Sequence, residues 1–280
     1  MPCIQSLLSK AKDKLATSSD SAALDAEVLM CHVLGKPRSY LRAWPEKTLN
    51  ASEIDAYWQL IELRQQGQPV AYITGQKEFW SRDFIVTQDV LIPRPDTEIL
   101  IELALTLIPE HQPAKIIDLG TGSGIIAITL AAERPLANII ATDQSVAALT
   151  CAKSNATRHE TNNVSFINSN WFNQIPISQF DLIISNPPYI AEDDIHLQQG
   201  DLRFEPQSAL RAKDQGLSDI KIIISEARNH LKIHGYLLIE HGYNQEQQMQ
   251  KLFADFNYQQ ITTYQDYANQ PRVTLGRWHG

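Results

Sequence analysis

The tetrapeptide Asn186-Pro187-Pro188-Tyr189 combines residue types that suit chemistry, and it follows an apolar run that predicts a β-strand. Two consecutive prolines fix the backbone and remove two N–H groups, so the segment exposes carbonyl oxygens as acceptors. The Asn186 side-chain oxygen and the Pro187 carbonyl can together accept both hydrogens of one planar NH2 group, and Tyr189 can pack on its face. We therefore predict Asn186, Pro187 and Tyr189 as catalytic residues, and the whole tetrapeptide, Pro188 included, as a substrate site.

A glycine-rich turn predicts a second part of the site. Gly120-Thr121-Gly122-Ser123-Gly124 lies between a short apolar run and a predicted helix, where glycines permit a tight turn and close approach to a ligand. Its third glycine comes one position earlier than in the G-x-G-x-x-G fingerprint, which weakens a nicotinamide or flavin interpretation. We predict all five residues, Gly120, Thr121, Gly122, Ser123 and Gly124, as cofactor-binding.

Residues at the ends of the next two predicted strands extend this site. Asp143 closes one strand, and a carboxylate there can accept hydrogen bonds from both ribose hydroxyls of an adenosine. Trp171 follows the other, so its ring can stack on adenine, while Asn170 can read the adenine edge. Together with Asn186, these residues predict a site for an adenosine-containing cofactor. Plain packing is the alternative for either aromatic residue of Trp171-Phe172.

The elements around these residues must bring them together. Beyond Pro113 the chain alternates apolar runs typical of strands with runs typical of helices, which predicts an α/β fold with a mostly parallel sheet and helices on both faces. Ligands of such sheets bind at the carboxyl ends of the strands, where both motifs fall. The predicted strands are 115–119, 137–142, 164–168, 180–185, 236–240, 261–264 and 273–277, and the predicted helices are 97–108, 125–133, 146–156, 217–231 and 245–256.

The first third of the chain has a different pattern. Apolar residues recur at helical spacing in three stretches, the last opened by Asn50 and Glu53 at the spacing of a capping box, which predicts a small helical bundle. Two short aromatic and β-branched runs over 79–86 predict a β-hairpin, and the polar stretch 192–215 predicts a functional loop. We expect three parts: a helical bundle over 1–76, a hairpin linker over 77–92 and a sheet domain over 93–280.

The composition excludes several classes of protein. The 280 residues are 43% hydrophobic and 20% charged, which excludes a mainly disordered chain. No apolar run approaches the roughly 20 residues that a membrane span needs. Three cysteines and eight histidines fit neither a disulfide framework nor the spacing of metal ligands. We therefore expect free thiols, no metal and a cytoplasmic protein.

The net charge of −8 is unevenly distributed. Residues 1–92 hold 10 basic and 11 acidic side chains, whereas residues 93–280 hold 14 and 21. A protein that grips a long stretch of nucleic acid usually presents a basic surface, because neutralised phosphates supply most of the non-specific affinity. The charge therefore favours a protein over nucleic acid as the partner, although a local basic patch stays open.

The glycine turn, the strand-end Asp143 and the tetrapeptide together resemble the methyltransferases that use S-adenosyl-L-methionine to modify planar nitrogens, both adenine N6 in DNA and the glutamine amide in proteins. Over essentially the whole chain, further motifs resemble the HemK/PrmC family of peptide chain release factor glutamine methyltransferases. These motifs are Ile92-Pro93-Arg94-Pro95-Asp96-Thr97-Glu98, Arg203-Phe204-Glu205-Pro206, Glu240-His241-Gly242 and Arg272-Val273-Thr274-Leu275-Gly276-Arg277. Gln88 and Asn170 depart from the family pattern, which has proline and frequently aspartate there.

The resemblance implies a class I S-adenosylmethionine methyltransferase (Rossmann-like) fold, preceded by a helical domain that docks the substrate. It implies methyl transfer to the side-chain nitrogen of the glutamine in the Gly-Gly-Gln motif of class 1 release factors. It also implies no nucleic acid substrate, no membrane and a monomeric enzyme. The alternatives are a ribosomal-protein glutamine methyltransferase, an adenine-N6 DNA methyltransferase and a non-catalytic binding module. Arg94 and Glu98 could support either the hairpin or the cofactor.

Overall fold

The computed structural model describes residues 2–280, and the chain forms two compact units. One unit contains the chain up to Gln76 together with the short segment Gln198–Phe204. The other contains Lys77–Leu197 and Glu205–Gly280. We call these the helical unit and the sheet unit. The chain therefore leaves the sheet unit at the 192–215 loop, contributes seven residues to the helical unit and returns.

The helical unit is built from the predicted helices and two shorter ones that the sequence did not reveal. Its core holds one buried stripe from each of the long helices, including Leu7, Leu29, Tyr57 and Ile61. The capping box at Asn50 is confirmed, because the Asn50 side chain accepts from the Glu53 backbone and Glu53 accepts from the Asn50 backbone. The helices are α1 (Ile4–Leu15), α2 (Ala22–Leu34), α3 (Arg38–Ala43), α4 (Ala51–Gln65) and α5 (Val70–Thr74).

The predicted hairpin forms strands β1 (Gln76–Phe79) and β2 (Arg82–Ile85). Trp80 and Ser81 form its turn, and both have positive φ, 51° and 56°. Two consecutive residues of this kind match the right-handed twist of paired strands. Phe79 and Phe84 are 2% and 0% exposed and belong to the core of the sheet unit.

The sheet unit alternates strands and helices along the chain. Its strands are β3 (Lys115–Leu119), β4 (Asn138–Asp143), β5 (Val164–Asn168), β6 (Phe180–Ser185), β7 (Ile190–Ala191), β8 (Arg211–Ala212), β9 (Leu231–Glu240), β10 (Gln259–Gln265) and β11 (Pro271–Arg277). Its helices are α6 (Glu98–Leu107), α7 (Ile125–Glu133), α8 (Val146–Arg158), α9 (Lys213–Gly216), α10 (Ser218–Ala227) and α11 (Glu246–Asp255). Within the short α9, Asp214 and Gln215 have left-handed backbone conformations.

Seven strands form one mixed sheet in the order β10-β11-β9-β6-β3-β4-β5. The pairs among β9, β6, β3, β4 and β5 are parallel, and β11 pairs antiparallel with β9 and β10. Successive residues of each central strand point to opposite faces, so Ile116 and Ile117 enter two separate apolar cores. Helices cover both faces, which confirms the predicted α/β fold with a mostly parallel sheet.

Strand register explains why the two sequence motifs meet. Leu119 pairs with Ser185 on one side and with Thr142 on the other. Because these strands are parallel and end at the same level, the glycine turn after Leu119 lies beside Asn186 and beside Asp143. The carboxyl edge of the sheet therefore brings together residues that lie up to 66 positions apart in the sequence.

Beyond Pro113, two boundaries differ from the sequence prediction by more than two residues. Strand β9 begins at Leu231 instead of Tyr236, and the preceding helix ends at Ala227 instead of Leu231. The first half of β9 lacks the apolar pattern of a strand, because it contains Lys232, His234 and Gly235. His234 has a positive φ of 70°, at the point where the pairing of β9 with β6 shifts register. Leu231 is therefore the first residue of the strand and not the last apolar residue of the helix.

The predicted loop has local structure of its own. It contains three turns of 3₁₀-helix over Ile195–Gln198, Gly200–Phe204 and Gln207–Ala209, and strands β7 and β8 close its base as a short parallel pair. None of the helices formed by residues 2–280 has the length and apolar character that a bilayer-spanning segment requires.

Candidate functional site

A cleft of about 330 Å³ opens at the carboxyl edge of the sheet, within the size range of small-molecule sites. Gly120–Ser123 of the glycine turn, Asp143, Trp171, Asn186 and Pro188 line it. Part of the 192–215 loop and the segment before α6 also contribute to its wall. The lining residues from those two segments are Asp89, Val90, Leu91, Pro93, Arg94, Thr97, Pro206, Ser208, Ala209 and Arg211.

The glycine turn needs its glycines for the conformation of the backbone. Gly120, Gly122 and Gly124 have φ of 72°, 55° and 86°, in the left-handed region that side chains disfavour. A Cβ on Gly122 would meet no atom within 4 Å, so its backbone faces open cleft. Gly124 plays a packing role instead, because a Cβ there would lie 2.7 Å from Ile128 and it does not line the cleft.

Asp143 is held in place by two backbone donors. Its Oδ2 accepts from Gly122 N at 2.9 Å and its Oδ1 accepts from Ser145 N at 2.8 Å. Burial raises the pKa of this carboxyl, and the hydrogen bonds from Ser145 and Gly122 oppose that shift. Each oxygen keeps a further lone pair, so a fixed, cleft-lining carboxylate remains able to accept two hydroxyl hydrogens.

Asp118 lies directly beneath the turn, and the sequence analysis gave it no role. It is 0% exposed, and its Oδ2 accepts from the Thr121 hydroxyl at 2.6 Å. Burial raises its pKa to about 7, and the hydrogen bond from Thr121 opposes this. Its position near the end of β3, two residues before the first glycine, is the signal that could have identified it.

The two aromatic residues after β5 take different environments. Trp171 lines the cleft, and a Cβ on Gly120 would lie 3.4 Å from its ring. Its indole N–H donates to Asp219 Oδ1 at 3.2 Å. Phe172 is 4% exposed and lies in the core, stacked on His230. Asn170 lines the cleft beside Trp171.

The tetrapeptide presents Asn186 and Pro188 to the cleft. The Asn186 NH2 group donates to the Thr97 hydroxyl at 3.2 Å, which leaves the side-chain oxygen for a ligand. Pro187 is buried. The Tyr189 ring packs against the core, and its hydroxyl donates to Glu240 Oε1 at 3.2 Å, so in this structure neither Pro187 nor Tyr189 lines the cleft. Contact of the Tyr189 ring with a substrate amide stays a prediction.

The backbone of Tyr189 is fixed from behind by Gln245. The Gln245 NH2 group donates to the carbonyl oxygens of Tyr189 and Gln215, both at 3.1 Å, and its oxygen accepts from Gly242 N at 2.8 Å. Gly216, with φ of 86°, passes so close that a Cβ would lie 2.0 Å from the Tyr189 carbonyl oxygen. The left-handed turn in α9 therefore supports the tetrapeptide through close backbone packing.

Around the start of α6, Arg94, Thr97 and Glu98 each have a different hydrogen-bond partner. Arg94 lines the cleft and pairs with the fully buried Glu205 of the loop at 2.6 Å. Glu98 accepts from Trp80 N at 3.0 Å and so supports the hairpin. Thr97 contacts Asn186.

Two titratable residues near the motifs are unsuited to accept a proton from a substrate. Asp181 lies at the opposite end of β6 from Asn186 and pairs with Lys232 at 2.7 Å. His241 is 0% exposed, and its ring nitrogens contact Thr274 Oγ1 and the Gly242 carbonyl, each at 2.9 Å. Burial lowers its pKa to about 4, and the Arg272 charge acts in the same direction while the Gly242 carbonyl opposes it. Neither Asp181 nor His241 lines the cleft, so neither is placed to act as a general base there.

Comparison with known families identifies both parts of the chain. The model of the PrmC N-terminal domain matches residues 6–75, and the model of the methyltransferase small domain matches residues 97–204. The release factor glutamine methyltransferase of Shewanella oneidensis is 48% identical over 278 residues, which cover 99% of this chain and 97% of that protein. The release factor glutamine methyltransferase of Escherichia coli is 45% identical over 262 residues, with 94% of each chain covered.

Solved structures share the fold at lower identity. A methyltransferase from Pyrococcus furiosus is 16% identical, with a TM-score of 0.54, and the alignment covers 73% of this chain and 92% of that one. The 16S rRNA N2 G1207 methyltransferase of T. thermophilus, solved with AdoMet and guanosine, is 14% identical, with a TM-score of 0.52. The alignment covers 73% of this chain and 50% of that one. These likenesses concern the sheet and its helices.

Proposed function

Because this chain belongs to the family of release factor glutamine methyltransferases, we propose that it transfers a methyl group from S-adenosyl-L-methionine to the side-chain amide nitrogen of the glutamine in the Gly-Gly-Gln motif of class 1 peptide chain release factors. The observation that carries the proposal is the cleft, in which Asn186 presents its amide oxygen beside a nucleoside-sized pocket. An amide acceptor suits a substrate that offers two N–H groups on one planar nitrogen.

The residues of the cleft fit the cofactor. Asp143 can accept from the two ribose hydroxyls, and the Trp171 ring can pack on the adenine. The space over Gly122 is open, and Thr121 and Ser123 line the cleft beside it, so this region has room for the methionine part of the cofactor. When bound, S-adenosyl-L-methionine supplies an electrophilic methyl group on a sulfonium sulfur.

The residues of the tetrapeptide orient the nucleophile. An amide nitrogen is a weak nucleophile, because its lone pair is delocalised into the carbonyl. If the Asn186 oxygen and the Pro187 carbonyl each accept one amide hydrogen, the plane of the amide is fixed and the nitrogen faces the methyl donor. Orientation of this kind can contribute several kcal/mol, up to about 7–11 in favourable cases. The methylated nitrogen is strongly acidic and loses its proton to water, so no side chain need act as a base.

We assign substrate docking to the helical unit and catalysis to the sheet unit, and the limits 1–76, 77–92 and 93–280 remain predictions. The net charge of the chain, −8, supports a protein substrate over nucleic acid. We further propose a monomeric enzyme of the cytoplasm, where translation occurs. Its three cysteines are free thiols, as expected in a reducing compartment.

The test is methyl transfer from tritiated cofactor to four separate acceptors: a class 1 release factor, the same factor with Gln→Ala in its Gly-Gly-Gln motif, a mixture of ribosomal proteins, and duplex DNA. We expect label only in the intact release factor, and peptide mass spectrometry should locate it on that glutamine. Label in ribosomal protein or DNA at a higher kcat/KM would contradict the proposal and identify the alternative.

A further inference from the structure

A buried polar chain lies behind the tetrapeptide and has no part in the function as described so far. Thr97, at the start of α6, accepts from the Asn186 NH2 group at 3.2 Å. Glu240, at the end of β9, accepts from the Tyr189 hydroxyl at 3.2 Å. Thr97 and Glu240 are each 1% exposed. Elements remote in sequence therefore contact the two polar side chains of the tetrapeptide.

The contact with Thr97 determines which end of the Asn186 amide faces the cleft. A side-chain amide has one end that donates and one that accepts, and rotation by half a turn exchanges them. The nitrogen of a substrate amide offers only hydrogens, so Asn186 can bind it only through Oδ1. With its NH2 group on Thr97, Asn186 has that oxygen free. If the Asn186 amide were reversed, its NH2 group would face the NH2 group of the substrate, and both groups can only donate.

A hydroxyl alone could not impose this choice, because it can either donate or accept. Glu240 removes the ambiguity. Glu240 Oε1 accepts from the Tyr189 hydroxyl, and Oε2 has no other hydrogen-bond partner within residues 2–280, so Oε2 is the atom left to accept from the Thr97 hydroxyl. A hydrogen bond from Thr97 also lowers the pKa of Glu240. A carboxylate can only accept, so the single Thr97 proton turns toward Glu240. The lone pairs of Thr97 then face Asn186, which must donate.

Burial raises the pKa of Glu240 to about 7, and the nearby Asp96 carboxylate acts in the same direction. Hydrogen bonds from Thr97 and Tyr189 and the charge of Arg272 oppose this rise, so the carboxylate form predominates only above about pH 7. Arg272 enters from β11, where its guanidinium pairs with Asp266 at 3.0 Å and with Asp96 at 3.2 Å. Glu240 therefore has a cation and two hydroxyl donors around it.

We propose that Thr97 and Glu240 are positioning residues, which hold the Asn186 amide with its oxygen toward the substrate nitrogen while Glu240 also holds the Tyr189 hydroxyl. The inference rests on the proposed function for the identity of that nitrogen. Thr97 borders the cleft but is 1% exposed, and in this proposal it acts through Asn186.

The test compares Thr97→Val, which keeps the shape and removes the hydroxyl, with Thr97→Ser, which keeps the hydroxyl. We expect kcat with a release factor to fall at least tenfold in Thr97→Val, with the KM for the release factor and the calorimetric Kd for S-adenosyl-L-methionine within about twofold of wild type. Thr97→Ser should recover at least half of the wild-type kcat. Equal kcat in the two variants would overturn the proposal.

A matched control and a double variant separate positioning from simple loss of structure. Thr129 is 0% exposed in α7 and its hydroxyl has no partner within the described chain, so Thr129→Val should leave kcat within twofold. Adding Thr97→Val to Asn186→Ala should lower kcat no further, because Thr97 acts only through Asn186. An additional tenfold loss in the double variant would overturn the proposal.

Glu240→Gln provides an independent test, because a glutamine side chain can donate to Thr97 and so allow the Asn186 amide to reverse. We expect kcat to fall at least tenfold while the cofactor Kd stays within twofold, and a kcat within twofold of wild type would contradict the role of Glu240. If wild-type enzyme methylates no release factor, the proposed function fails. If wild type and Thr97→Val methylate it equally, only the present inference fails.

Discussion

Asn186 and Asp143 border one cleft, yet their removal should have opposite effects on catalysis and on cofactor binding. The Asn186 NH2 group donates to Thr97, and the Asp143 carboxylate accepts from Gly122 and Ser145. In the proposed function the Asn186 oxygen orients the substrate amide, and Asp143 accepts from the ribose. For Asn186→Ala we expect kcat to fall about a hundredfold or more with cofactor affinity almost unchanged. For Asp143→Ala we expect cofactor affinity to fall about a hundredfold, since two hydrogen bonds to a charged group are lost.

Single-turnover kinetics with tritiated cofactor measure the first effect, and titration calorimetry measures the second. The two variants serve as controls for each other, because both alter a polar residue at the same edge of the sheet. Equal turnover by Asn186→Ala would refute its assignment, and unchanged cofactor affinity in Asp143→Ala would refute the ribose contact.

His241 makes stability depend on pH. Its pKa is lowered from 6.5 to about 4, chiefly by burial, so the folded protein binds fewer protons than the unfolded chain between these values. Stability from His241 is therefore fully present above pH 6.5 and is lost as the pH falls toward 4. Between pH 7 and pH 5 we expect a contribution of about 2 kcal/mol to the loss of unfolding free energy.

Urea unfolding of wild type and His241→Gln at the two pH values isolates this contribution. Buried carboxyls with raised pKa, such as Glu240 and Asp118, change stability in the opposite direction, but they are common to both proteins. The difference between the proteins therefore reports His241. A wild-type protein that loses no more stability than the variant on acidification would rule out a buried neutral imidazole.

At the scale of elements, the turn in α9 supports the tetrapeptide, and Gly216 is the residue on which this support depends. A Cβ there would lie 2.0 Å from the Tyr189 carbonyl oxygen and 2.8 Å from Gln245 Nε2, so the tetrapeptide must shift to admit it. We expect Gly216→Ala to lower stability by about 1–3 kcal/mol and to lower kcat at least tenfold.

Gly35 is the matched control for this substitution. It also has a positive φ, 59°, at the end of α2, but a Cβ there meets nothing within 4 Å. Gly35→Ala should cost only about 1 kcal/mol of backbone strain and leave kcat unchanged. The comparison uses thermal unfolding and steady-state methylation, and equal kcat values for the two variants would contradict support of Tyr189 by α9.

The sequence allowed prediction of the elements whose side-chain periodicity is strong. The central strands and the capped helix α4 appear where expected, because their burial patterns follow directly from residue type. Strand β9 was predicted too short because its first half is polar around His234. The short helices α3 and α5 were missed because each has too few residues to show a helical repeat of apolar side chains.

The sequence predicted the site residues that belong to a local motif. It did not predict the residues that hydrogen-bond to those motifs from distant parts of the chain. The glycine turn and Asn186 could be placed on one edge because parallel strands end together. The link between Thr97 and Asn186 spans 89 positions, and that between Tyr189 and Glu240 spans 51. Such contacts depend on strand order, which periodicity and local motifs do not determine.

At the scale of the whole molecule, the path of the chain ties one segment of the 192–215 loop to the helical unit. Within that unit, Arg64 is 11% exposed and donates to Asp25 at 2.7 Å and to Asp201 at 3.1 Å. A Cβ on Gly67 would lie 2.5 Å from the Arg203 side chain. The segment Gln198–Phe204 therefore shares contacts with a core formed more than 130 residues earlier in the chain.

This arrangement predicts that the segment opens with the helical unit and not with the strands that flank it in sequence. Leu29 is 0% exposed in the helical core, so Leu29→Ala should lower the free energy of unfolding by about 2–5 kcal/mol. Hydrogen exchange followed by mass spectrometry should then accelerate over the helices of that unit and over 198–204 together, because local stability follows cooperative units. Ile223→Ala, at an equally buried site of the sheet unit, is the control and should accelerate exchange in that unit first. If 198–204 instead follows the sheet unit in both variants, the assignment of this segment to the helical unit is wrong.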